Sequence, residues 1–158
     1  MWCFGYYNNE EETKKVLQNG WFKTGDYGYI DTDGFLFVTG RKKDVIVLRN
    51  GKNVYPQEIE KLINKIPYIL ESLVYQREQS TTDTMLCAKI VYDFNMIKEV
   101  LGEKTEEEYR QIIWEEIKKI NETLPIYKHI KKITITTKSF AKTTTQKVKR
   151  FEEIKTVL

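Results

Sequence analysis

Two periods of apolar residues alternate along this chain, and the places where they switch mark out its elements. Asn9 followed by Glu12 fits a capping box, and Asn19-Gly20 supplies a stop, so a short helix is predicted over 10–18. Tyr27–Ile30 and Phe35–Val38 flank Asp31-Thr32-Asp33-Gly34, a hairpin signal. Val45–Leu48 is a third short apolar run, closed by Asn50-Gly51. Pro56 then opens a helix whose Ile59, Leu62, Ile63 and Ile66 share one face before Pro67.

The second half repeats the alternation on a larger scale. Strands are predicted at 71–77 and 85–92. Thr105 with Glu108 makes another capping box, and Tyr109, Ile112, Ile113, Ile117 and Ile120 form the buried stripe of the longest helix, ended by Leu124-Pro125. Ile130–Ile135 reads as a strand, and Val148, Phe151, Ile154 and Leu158 mark a final amphipathic helix. A hairpin followed by α-β-β-α-β-α is an α+β pattern. A shift in composition near Arg41 divides a β-rich leading part from the α+β remainder. The Thr-rich Lys142–Gln146 stretch reads as a loose polar loop.

Composition narrows the partners. At 158 residues with 41% hydrophobic and 31% charged, the chain has enough for one ordinary core. A net charge of +3 is too mild to argue for nucleic acid. The charge is uneven, however: between Thr123 and Phe151 there are eight Lys or Arg and no acid. Cys3 and Cys87 have no metal-like spacing and a single His, His129, accompanies them, so no metal site is expected and both thiols are assigned to packing. His129 reads as an exposed bystander. No apolar run reaches membrane-spanning length and no signal peptide is visible. The opening MWCFGYYNNEE runs into a helix with no lead-in, which predicts a piece of a longer protein.

Three places could carry chemistry. Asp26, after Gly25 in a turn, could accept hydrogen bonds from the vicinal hydroxyls of a ribose, or could cap its own backbone. Arg41 offers a fixed fork of donors to hydroxyl or phosphate oxygens, or belongs to a solvated Arg-Lys-Lys turn. Lys147 could bring an ammonium to an anion, or lie in a basic tail. Taken singly, the plainer alternative is the commoner one for each.

Taken in order, the motifs GYYNNEEETKKVLQNGWFKTGDYGYIDTDGFLFVTGRKKDVIVLRNGKNVYPQEIEKLI, LPIYKHIKKITI and KTTTQKVKR resemble the adenylate-forming superfamily. That group includes acyl-CoA synthetases, peptide-synthetase adenylation domains and firefly luciferase. The RKKDVIVLRNGKN wording is most similar to bacterial long-chain fatty-acid–CoA ligases. The resemblance implies the C-terminal portion of an ATP-dependent acyl-CoA synthetase: 1–40 as the end of a large AMP-binding domain, 41–44 as a hinge, and 45–158 as a mobile C-terminal domain. It implies that Asp26 and Arg41 bind the ribose of ATP or AMP and that Lys43 is the pivot. It further implies that Gly51 lines the pantetheine channel for CoA, and that Lys147 bridges the substrate carboxylate and the α-phosphate. Two departures stand in the last motif. Gln146 precedes the lysine where the family usually has Gly, and Ala141-Lys142-Thr143 replaces Pro-Lys-Thr.

The same resemblance implies ATP, Mg2+ and CoA as the full-length enzyme's cofactors and co-substrates, with none held tightly by this piece, which alone is expected to be inactive. Its partners would be its own large N-terminal domain and a fatty acid, with no nucleic acid and no transmembrane segment. Its place would be the cytoplasm, with a peripheral membrane position left open. Two other readings stay open: an adenylating enzyme that loads a carrier protein, and a stand-alone basic module that holds an acidic partner or RNA.

Overall fold

In the computed structural model, residues 4–78 and 84–157 are described. They form two compact units, Met1–Asp44 and Val45–Leu158. Cys3, assigned to packing, and Leu158, predicted for the last helix, lie outside the described residues.

The first unit is built from local turns. Helix α1 (Glu10–Val16) starts at Asn9, whose side chain accepts from the Glu12 N–H. It stops two residues before the predicted end. Leu17–Gln18 (β1) pairs instead with Trp21–Phe22 (β2) around Asn19 and Gly20, both at positive φ (51° and 80°). Asn-Gly at two left-handed positions is the two-residue hairpin turn, and it claims the residues a helix stop would have left helical. Strands β3 (Asp26–Ile30) and β4 (Leu36–Arg41) make the predicted hairpin. Their register shifts between Tyr27 and Gly28, where a β-carbon at Gly28 would lie 2.6 Å from the Phe37 carbonyl oxygen. Tyr29 stacks on Phe37, with ring centroids 5.3 Å apart. None of the described hydrophobic residues of this unit is buried; Ile30, Phe35, Leu36 and Val38 are each more than 60% exposed.

A 3-10 turn, Lys42–Asp44, ends the first unit. The second opens with the ribbon β5 (Ile46–Val47) and β6 (Asn53–Val54), then α2 (Pro56–Ile63). Strands β7 (Ile69–Glu78) and β8 (Thr84–Tyr92) are antiparallel. Helices α3 (Phe94–Leu101) and α4 (Glu106–Glu122) then carry the chain over to β9 (Ile130–Thr136), which pairs parallel with β8. The sheet order is β7-β8-β9. Helix α4 has the predicted box: Thr105 N–H donates to Glu108 Oε2 at 2.7 Å, and Glu108 N–H donates back to Thr105 Oγ1 at 3.3 Å. Helix α3 was not foreseen, although Asp93 caps it and Gly102, at φ 78°, ends it.

Alternation along β8 divides the core in two. Leu86, Ala88, Ile90 and Tyr92 join Ile59, Ile63, Ile97, Tyr109, Ile113 and Ile117 under α2, α3 and α4. Truncating one of these fully buried isoleucines to Ala costs about 2–5 kcal/mol. The opposite face carries Leu73 and Val91 under Phe140, with Val148 and Ile154 packed around them. Ile154 belongs to the last helix, α5 (Arg150–Lys155), whose Phe151 is 72% exposed rather than part of the predicted apolar face. Helix, sheet and ribbon mix as the α+β pattern requires.

Candidate active site

Asp26 and Arg41 come together at the open end of the β3–β4 hairpin. They are register partners, and Arg41 Nε lies 2.9 Å from Asp26 Oδ1. Lys42 N–H donates to the Gly25 carbonyl at 2.8 Å, which fixes the step after the pair. The Asp26 carboxylate does not cap its own turn; Thr24 Oγ1 accepts from the Asp26 N–H at 3.1 Å instead. Arg41 ends strand β4 rather than lying in a turn, and its exposed side chain is directed onto Asp26. A carboxylate beside a guanidinium offers acceptor and donor together, an arrangement that suits a vicinal diol.

Lys43 lies exposed in the 3-10 turn that ends the first unit. Gly51 closes the β5–β6 ribbon. Leu48 N–H donates to the Lys52 carbonyl and Gly51 N–H to the Leu48 carbonyl, each at 2.9 Å, with Gly51 at φ 77°. A β-carbon at Gly51 would meet nothing within 4 Å, so the backbone angle, not crowding, demands glycine. Beside this turn is a cleft of about 290 Å³ lined by Arg49, Asn50, Tyr127, His129 and Lys131 among others. His129 is half-buried, with Nε2 2.9 Å from the Leu124 carbonyl, and so is no exposed bystander. Lys52 lies over the Tyr127 ring at 4.4 Å.

The Thr-rich stretch is an ordered hairpin, not a loose loop. Thr143 N–H donates to the Lys147 carbonyl at 2.8 Å, and Gln146 N–H donates to the Thr143 carbonyl at 2.9 Å. Thr143 Oγ1 also accepts from the Lys147 N–H at 3.2 Å. Lys142 and Val148 form a bridge below it, and Lys149 N–H donates to the Ala141 carbonyl at 2.8 Å. Threonine hydroxyls close the turn through short-range bonds that composition alone conceals. Lys147 is exposed at the head of this hairpin, and its ammonium pairs with no carboxylate among the described residues.

The hairpin base is tied to the sheet by carboxylates that local patterns could not reveal. Glu71 takes the Phe140 N–H at 3.0 Å and pairs with Lys142. Glu153 takes the Ala141 N–H at 2.7 Å and the Lys89 ammonium at 2.7 Å. Arg150 forks onto Glu60 at 3.0 and 2.8 Å and donates to the Val74 carbonyl at 3.0 Å, while Glu60 accepts from the Val74 N–H at 2.7 Å. Burial pushes the Glu153 carboxyl up, but the Ala141 N–H and Lys89 outweigh it and hold the group below its usual value. Burial also pushes the Cys87 thiol up, as expected of a packing residue rather than a nucleophile.

The model of the AMP-binding enzyme C-terminal domain matches residues 43–156. YdaB of Bacillus subtilis (strain 168), named as an acyl-CoA ligase, is 61% identical over 70 residues, 44% of this chain and 14% of that protein. The long-chain-fatty-acid–CoA ligase FadD15 of Mycobacterium tuberculosis is 49% identical over 70 residues, 44% of this chain and 12% of that protein. Among solved structures, the O-succinylbenzoate coenzyme A synthetase of Bacillus subtilis in complex with AMP superposes with a TM-score of 0.72 at 28% identity, covering 94% of this chain and 27% of that one. The chain thus spans well under a third of the length of each of these relatives.

Proposed function

The chain belongs to the family of AMP-binding enzyme C-terminal domains, and from that premise we propose that it is the C-terminal portion of an AMP-forming acyl-CoA synthetase. The observation that carries this reading is Lys147, an ammonium without a carboxylate partner among the described residues, held out on a hydrogen-bonded hairpin whose base is fixed to the sheet. Joining a carboxylate to an α-phosphate brings two anions together, and charge grows on the phosphoryl oxygens in the transition state. A cation placed at that point lowers the barrier far more than one moving in water.

The other residues take supporting roles. Asp26, oriented by Arg41, accepts from the ribose hydroxyls of ATP. Lys43 is the pivot on which 45–158 turns relative to 1–40 between the two half-reactions. Gly51 keeps its turn free of a side chain where the pantetheine arm of CoA passes, and Arg49 and Lys131 give the neighbouring cleft the charge for its phosphates. Magnesium accompanies ATP as part of the substrate. The apolar ribbon of the first unit, exposed at Ile30, Phe35, Leu36 and Val38, suits burial against a large N-terminal domain. A long-chain fatty acid is the carboxylate we favour, on the likeness to FadD15, and the cytoplasm is the proposed compartment.

The test is turnover. Joined to the large domain, the chain should support AMP release from ATP, magnesium and a long-chain fatty acid, with acyl-CoA formed in equal amount. The isolated chain should support neither. Acylation of a carrier protein in preference to CoA would replace this reading with that of a carrier-loading enzyme.

A further inference from the structure

The hairpin that bears Lys147 packs Val148 against the core, with Phe140 buried at its foot, and its other attachments among the described residues are polar. Its most buried attachment is the Glu153–Lys89 pair, each side chain 12% exposed. Glu153 Oε1 accepts from the Ala141 N–H at 2.7 Å, at the foot of the hairpin, while Oε2 accepts from Lys89. Lys89 lies in the central strand β8, opposite Leu73 and Thr134. Its ammonium also donates to Thr156 Oγ1 at 2.8 Å and lies 5.6 Å from the Phe140 ring centroid. A well-packed apolar pair would serve stability as well at such a place. What a charged, hydrogen-bonded pair adds is a fixed direction and register.

We propose that Glu153 and Lys89 are positioning residues for Lys147: they hold Ala141, and through it the Ala141–Lys149 rung, so that the hairpin delivers the ammonium to one place. This rests on the reading of Lys147 given above. The adenylating half-reaction alone uses Lys147, so it alone should feel the loss of the anchor. A general weakening of the fold would depress both half-reactions together.

Amide hydrogen exchange on the chain itself tests the anchor. In Glu153→Gln and Lys89→Met, exchange at Ala141 and Lys149 should quicken by about tenfold or more, while Ala88 and Ile90 of β8 change little. Lys89→Arg should restore protection. Hairpin exchange that stays within about twofold of the parent, or rises in step with Ala88 and Ile90, overturns the proposal. Should neither variant fold, Thr156→Val, which loosens Lys89 without removing a charge, must still quicken exchange at Ala141; no change there overturns it equally. In the enzyme completed by its large domain, Glu153→Gln should lower kcat for adenylate formation about 10–100-fold, since a misplacement of about 1 Å costs that much. KM for ATP and thioester formation from supplied acyl-adenylate should hold. Equal loss in both half-reactions overturns the positioning role. Lys147→Ala separates the two ideas: if it spares adenylation, the reading of Lys147 fails while the exchange result still decides the anchor.

Discussion

Gln146 holds in the Lys147 hairpin the place that Gly51 holds in the β5–β6 ribbon. Each donates its N–H to the carbonyl three residues back, and each adopts a left-handed backbone, φ 61° and 77°. Gly34 does the same between β3 and β4 at φ 86°. Three turns thus share one construction, and Gln146 alone among the three sits there with a β-carbon. A left-handed L-residue costs about 1–2 kcal/mol, partly offset on replacement by glycine's greater freedom when unfolded. Gln146→Gly should therefore stabilise the chain by about 0.5–1 kcal/mol, read from urea unfolding. Gln146→Val should destabilise it, since a branched residue tolerates this region least.

Arg150 and Glu60 join the last helix to α2 across the free edge of β7, where they also satisfy the Val74 N–H and carbonyl. Their side chains are 21% and 11% exposed. Arg150→Met leaves a mostly buried carboxylate unpaired and should lower the unfolding free energy of the second unit by about 3–5 kcal/mol. Pairing Arg150→Met with Glu60→Leu should recover part of that loss, and a double-mutant cycle in urea measures the coupling.

Acid should loosen the Lys147 hairpin. The folded Glu153 carboxyl titrates below its unfolded value, so its contribution is complete above the unfolded pKa of about 4.3 and is lost as pH falls through the folded value. Denaturation midpoints measured from about pH 6 downward should fall below about pH 5, and Glu153→Gln should flatten part of that fall. Glu103 and Glu108 are likewise held low, by Lys98 and Thr105 respectively, and their share should persist in the variant.

Asp26→Asn should separate binding from folding. The Asp26–Arg41 pair is substantially exposed, at 30% and 46%, so its loss should change stability by less than about 1 kcal/mol. Hydrogen bonds to a charged group are worth more to a ligand, so KM for ATP in the completed enzyme should rise about tenfold or more. Steady-state kinetics beside a thermal melt would show both.

Much of the fold was legible because its signals are local. Pro56, the Thr105–Glu108 box and Asn50-Gly51 each act within a few residues, and the elements form where they indicate. The Asp26–Arg41 contact was less so: the register set at the turn would put Asp26 opposite Gly40, and the shift between Tyr27 and Gly28 brings Arg41 there instead. The failures have the same origin. Asn19-Gly20 is as local a signal, but it serves a hairpin rather than a helix stop, and periodicity at Leu17–Gln18 could not choose between them. Asp93 and Gly102 bracket α3, and Phe94, Ile97 and Leu101 repeat at helical spacing between them, so this short helix could have been read. Glu60, Lys89 and Glu153 were not legible, since their partners lie 12 to 90 residues away and the pattern of an isolated Glu or Lys is that of any solvated face.

The most direct test of the account is Lys147→Ala in the enzyme completed by its large domain, assayed separately for its two half-reactions. ATP–pyrophosphate exchange with a long-chain fatty acid should fall by about a hundredfold or more, the scale of losing one positioned electrostatic contact. Thioester formation from supplied acyl-adenylate and CoA should stay within about twofold, since that step draws nothing from this ammonium. Exchange that survives the substitution, or an equal loss in both steps, would contradict the role given to Lys147.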